Sequence, residues 1–64
     1  MKLNVLAIKR LMANKQINNV ELSKRSGISR QSISVILTRG SCSIINVGRL
    51  ANALQVDIET IVNL

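Results

Sequence analysis

The chain contains no aromatic residue, no proline and no histidine, and it has only three glycines and one cysteine in 64 residues. With no histidine, one thiol and three carboxylates, the usual metal-ligand clusters and acid–base or nucleophilic arrangements cannot be assembled. No phosphate-cradling glycine loop is present either, so the composition argues against an enzyme and implies neither a metal nor another cofactor. Cys42 cannot form an internal disulfide, which fits a reducing compartment. Its possible roles are redox sensing, an intermolecular disulfide, or simply a small residue in a serine-rich connection. Without aromatics the core must be built from Ile, Leu, Val, Met and Ala, whose shapes suit short packed helices. The absence of proline and scarcity of glycine favour an all-α domain over a sheet.

Acidic residues are also scarce. Nine Lys or Arg against three Asp or Glu leave a formal charge of +6, which points to a polyanion: nucleic acid or an anionic membrane surface. A membrane partner is not expected. No apolar run approaches the roughly 20 residues that span a bilayer, and the cations are not gathered along one helix edge. Lys9 and Arg10 interrupt the apolar N-terminus too early for a signal-peptide core, so a cytoplasmic location is expected. The length corresponds to one domain, 1–64, which buries only about three-fifths of its unfolded surface. A partner is expected to add stability.

The organising stretch is Asn19–Thr38, NVELSKRSGISRQSISVILT. Val20, Leu22 and the small Ser23 form one helical face in its first half, and Ile33, Ile36 and Leu37 form another in its second half. Gly27 supplies positive φ just past the first helix, Ile28 plugs the core from the turn, and Ser29 caps the second helix. Ser23 leaves room where the two helices cross. The pattern predicts a helix-turn-helix.

With Ser23, Gly27, Ile28, Ser29, Gln31, Ile33, Ser34 and Ile36 in register, and Leu50-Ala51-Asn52-Ala53-Leu54-Gln55-Val56 downstream, nearly the whole chain resembles the helix-turn-helix family of phage Cro and lambda-type repressors. The resemblance implies an all-α, compact five-helix lambda-repressor-like DNA-binding domain that places its second motif helix in the major groove of duplex DNA. By motif alignment the base-reading positions fall on Arg30, Gln31 and Val35, with Ser29, Ser34 and Thr38 as further candidates, Ser29 and Thr38 being expected to contact phosphate. The first motif position is commonly a glutamine that contacts phosphate; here it is Asn19, which keeps the chemistry with less reach. Many relatives carry a buried Arg–Glu pair between the first and third helices, at positions that align with Met12 and Leu37. Both partners are apolar here, a paired replacement that strands no charge, and the two are expected to touch. The C-terminal end commonly forms a two-fold contact in this family, which makes Ile58, Ile61, Val62 and Leu64 dimer candidates. Completion of the monomer core is the other role open to them.

The residue chemistry agrees with the resemblance. Apolar Val5, Ile8, Leu11 and Met12 predict a first helix from about Asn4 to Asn14, closed by Asn14 or Lys15 in a left-handed conformation, with Ile17 inward. Asn18 or Asn19 opens the second helix by capping, and either can also meet a DNA phosphate. Lys24 and Arg25 read as solvated charges or contacts. The third helix spans roughly Arg30–Leu37 and turns Gln31, Ser34, Val35 and Thr38 outward. Arg30 can donate to guanine O6 and N7, Gln31 can pair with adenine, Val35 can meet a thymine methyl, and Ser34 suits either sense. Ser29 and Ser32 have local capping and intrahelical roles as alternatives.

Thr38–Ser43 is expected to be a basic turn in which Arg39 and the amides around Gly40 and Ser41 reach phosphate; a solvated loop arginine is the alternative. Ser43 caps a fourth helix with Ile44, Val47, Leu50, Ala51 and Leu54 inward. Gly48 in its middle permits close packing or close approach of DNA backbone. Arg49 is a further phosphate candidate or a surface charge. Asp57 caps a short last helix, with Glu59 favourably in its first turn.

These features point to a sequence-specific duplex-DNA-binding regulator, expected as a homodimeric repressor that occupies an operator. Its half-sites would be read by two such helices about 34 Å apart. No small-molecule effector is expected, and control would come from concentration, cooperativity or a protein antagonist. The alternative is a protein-interaction module of the same fold, binding an antirepressor or acting as an antitoxin-like partner.

Overall fold

In the computed structural model, which describes residues 1–63, the chain folds into five helices: α1 Val5–Lys15, α2 Asn19–Ser26, α3 Arg30–Arg39, α4 Ile44–Leu54 and α5 Ile58–Ile61. The helix starts follow from short polar side chains. Asn4, Asn18, Ser29 and Ser43 each accept from the amide three residues on, at Ala7, Glu21, Ser32 and Asn46. Each satisfies one of the amides that a helix start leaves open. Asp57 stands at the start of α5 as expected but makes no side-chain cap; its carbonyl accepts from Thr60 N–H at 3.0 Å instead.

All four longer helices end on a left-handed residue: Gln16, Gly27, Gly40 and Gln55. Gln16, with φ of 57°, takes the role expected of Asn14 or Lys15. The reason lies in the next residue. Ile17 N–H donates back to Met12 at 3.0 Å while its side chain packs on the core, and Val56 repeats this after Gln55, donating to Ala51 at 3.0 Å. This is the double hydrogen bond with apolar contact that ends many helices, and it offsets the backbone strain at each glutamine. Gly40 stops α3 two residues later than expected, so Thr38 and Arg39 belong to the helix rather than to a loop.

Ile8, Leu22, Ile33, Val47, Leu50, Leu54 and Ile61 are the largest fully buried side chains, joined by Leu3, Met12, Ile28, Ile36 and Val62. Met12 is buried and Leu37 half-buried against this core, and both line one hollow between α1 and α3. Burial on α4 begins only at Val47, so its first turn projects past the core and Ile44 is 56% exposed rather than inward. Val20, in the first turn of α2, is likewise exposed.

Two of the four dimer candidates take the other role open to them. Ile61 is fully buried and Val62 nearly so, so these two complete the monomer core and offer no surface to a second copy. Ile58 remains partly exposed, and Leu64 lies outside the described residues. What draws Ile61 and Val62 inward is an extended N-terminal segment. Asn4 N–H donates to Ile61 and Asn63 N–H to Lys2, while on the other edge Leu3 N–H donates to Gly40 and Cys42 N–H to Met1, all at 2.8 to 3.2 Å. The segment therefore lies antiparallel between the turn after α3 and the end of α5, through single bridges rather than full strands. Leu3 drops into the core beneath it.

Leu3→Ala should therefore cost about 2–5 kcal/mol in denaturant unfolding, as for other buried leucines. A loss under about 0.5 kcal/mol would mean that the N-terminal segment is not docked.

Candidate nucleic-acid interface

The turn between α2 and α3 carries an isoleucine into the core, and its peptide groups must find partners there. Ile28 N–H donates to Ser26 Oγ at 3.2 Å, and Ser23 Oγ donates to the Ile28 carbonyl. Both Ile28 polar groups are thus satisfied while its side chain stays 5% exposed. Ser26, a buried serine just before the turn glycine, is a residue that apolar periodicity could not flag; its signal is the serine-to-amide turn two residues on.

With Ile33 and Ile36 buried, α3 turns Arg30, Gln31, Ser34, Val35, Thr38 and Arg39 to solvent. Gln31, Ser34, Val35 and Thr38 make an uncharged centre, and the two arginines stand at the ends of the helix. Arg39 occupies the last helical position, which holds its base closer to the face than a loop would.

Ser29 is committed to capping. Its hydroxyl accepts from Ser32 N–H at 3.1 Å and donates to Ser32 Oγ at 2.9 Å. Asn18 likewise uses its side-chain oxygen on Glu21 N–H at 2.9 Å. Asn19, half-buried at the head of α2, lines two hollows: one with Ser29, Arg30, Gln31 and Ser34, the other with Lys9, Ser34 and Thr38. The structure thus gathers Asn19 with the outer residues of α3. It also adds Lys9 from α1, which the helical pattern had set on another side.

On the opposite flank, Gln31, Val35 and Arg39 share a hollow with Ser41, Ser43 and Asn46 from the following turn and the start of α4. Not every donor expected there is free. Gly40 N–H closes α3 on the Ile36 carbonyl at 2.8 Å, and the amide of Cys42 is bonded to Met1. Cys42 is half-buried beside this hollow; burial pushes its thiol up from the ordinary value, against the opposing pull of the Met1 ammonium, so it stays protonated near neutrality. Arg25 forms the one ion pair among the described residues, with Glu21 at 3.1 Å on α2, while Lys24 and Arg49 are exposed. No helix is long and apolar enough to cross a membrane, and no metal-holding cluster occurs among the described residues.

A family model described as the Cro/C1-type HTH DNA-binding domain matches residues 7–64. The chain belongs to that family. It matches no curated protein and no solved structure significantly. The Cro/C1-type match accounts for the DNA-binding class and for the helix pair at α2 and α3, and it begins after the extended N-terminal segment. Membership makes this domain a DNA-binding regulator, in keeping with its +6 charge.

Because the Ser29 hydroxyl serves the helix, Ser29→Ala should destabilise the free protein by about 1 kcal/mol. Unchanged thermal unfolding without DNA would show that the cap is dispensable.

Proposed function

We propose that the domain is a sequence-specific repressor that binds its operator as a homodimer, with α3 in the major groove. The observation that carries this reading is the outer face of α3: an uncharged centre bounded by an arginine at each end. An ordinary solvent-exposed helix face is filled with Lys and Glu, whereas a groove floor rewards side chains that match base edges without bringing a buried charge. Arg30, Gln31, Ser34 and Val35 read bases in this proposal. Asn18, Asn19, Thr38, Arg39 and Ser41 contact the sugar–phosphate backbone, and Lys9 joins them through the hollow it shares with Asn19 and Thr38.

Ser29 contributes mainly by fixing the first turn of α3. A pair of such helices spaced one DNA turn apart reads an inverted repeat, and a bound dimer blocks polymerase by occupancy. A protein antagonist or a change in concentration, rather than a small ligand, regulates it.

Selection from a random duplex library at near-physiological salt should enrich an inverted repeat with half-site centres about 34 Å apart. Weak binding with no enriched sequence would reject specific recognition. Arg30→Ala and Gln31→Ala should each weaken binding to the selected site by about 1–3 kcal/mol and relax preference at particular base pairs. Equal losses on every sequence would contradict base reading. Arg39→Ala and Lys9→Ala should instead weaken all duplexes alike, each lowering the salt-dependence slope by about one. A slope that does not move would return that residue to the solvated surface.

A further inference from the structure

Lys2 is the one basic side chain on the N-terminal segment, and the pairing of that segment decides where it stands. Leu3 lies opposite Val62, and both are buried, so this side of the segment faces the core. Neighbours on an extended chain point to opposite sides, which turns Lys2 outward, and Lys2 is exposed. The residue opposite Lys2 is Ser41. Leu3 N–H donates to the Gly40 carbonyl at 2.8 Å and Cys42 N–H to the Met1 carbonyl at 3.2 Å, so the Lys2–Ser41 pair sits between two hydrogen bonds. Facing residues in such a pair approach closely and share a face. Ser41 in turn borders the hollow that holds Gln31, Val35 and Arg39. Lys2 is thereby brought beside the exit of α3, although it is distant in sequence.

We propose that Lys2 contacts a backbone phosphate of the bound duplex, and that the docked N-terminal segment holds it there beside Arg39. This rests on the placement of α3 proposed above and adds a contact from outside the matched region, which begins at residue 7. The charges favour phosphate as the partner. Arg25 and Glu21 form the one ion pair among the described residues, so no carboxylate among them neutralises Lys2. Arg39, at the last position of α3, and Lys2 put two cations around residues 40–42, and the stretch 38–43 contains no acid. Two like charges brought together on a domain of charge +6 are relieved by a phosphate backbone running past both.

The anchoring of the segment suits the role as well. It is hydrogen-bonded along both edges and pinned by Leu3, so the backbone of Lys2 is already ordered when DNA arrives. A lysine on a free tail would lose that freedom on binding. The residue type also fits: a compact charge on a flexible stem meets a phosphate without a fixed angle, whereas a base edge calls for a planar fork or amide. Lys2 therefore adds affinity without sequence preference.

Binding of the wild type and Lys2→Gln to a random duplex, followed from about 50 to about 200 mM salt, tests the contact. Lys2→Gln should lower the slope of log affinity against log salt by about 0.9, so that its penalty shrinks about 3.5-fold across that range. Thermal unfolding without DNA should match the wild type, because the backbone bridges and Leu3 stay in place. On the selected operator, ethylation of single phosphates locates the contact. One phosphate per half-site that interferes with the wild type should cease to do so in Lys2→Gln, close to the one lost in Arg39→Ala. An unchanged slope, or an ethylation pattern that Lys2→Gln leaves intact, would overturn the contact. A lost phosphate remote from that of Arg39 would overturn its place beside the exit of α3. Failure to select any operator would overturn sequence-specific reading by α3, while the slope on the random duplex would still decide for or against Lys2.

Discussion

The position of α3 depends on one buried peptide unit. Ile28 must enter the core to tie the turn down, and a buried backbone donor and acceptor cannot be left open without losing more than a side chain of that size gains. Two serine hydroxyls resolve the conflict, Ser23 from within α2 and Ser26 from its last turn. Gly27, at φ of 74°, turns the chain so that both can reach. Once Ile28 is fixed, Ser29 falls into place as the cap of α3, and Ile33 and Ile36 bury below it. The exposed row from Arg30 to Arg39 is what remains. Its orientation therefore follows from how a turn with no aromatic anchor satisfies its backbone.

The N-terminal segment gives this arrangement its second support. By pairing with the turn after α3 on one edge and the end of α5 on the other, Met1–Asn4 joins the end of α5 to the exit of α3. A domain of this length has little core to spare, so Leu3, Ile61 and Val62 are needed as core residues around that segment. The same demand explains why Ile61 and Val62 turn inward.

Much of this was legible in the sequence because the signals are local. Asn18, Ser29 and Ser43 are caps by residue type and position, Gly27 is a stop, and the inward faces of α1 and α3 repeat at helical spacing. Their composition and order also carried the family resemblance, which the Cro/C1-type match bears out. The misreadings share a different cause. Ile44 follows a good helical pattern, but periodicity gives a direction around an axis and not the distance along it at which the core ends. Gln16 displaced Asn14 and Lys15 because the apolar Ile17 needed to turn inward, a tertiary requirement no propensity contains. The bridges at Lys2 and Leu3 join residues far apart in sequence and leave no repeating pattern to read. Lys9 joined the candidate interface only once α1 and α3 were placed together.

The distribution of charge bears on the proposed homodimer. An isolated pair of copies must overcome mutual repulsion between two +6 bodies, whereas copies on one duplex lie in the field of its phosphates, which cancels much of that repulsion. For the proposed homodimer, a contact that is weak in free solution would then be effective on DNA, where both copies are already held side by side and the second encounter is no longer diffusional. Occupancy of an inverted repeat would rise steeply with protein concentration for that reason.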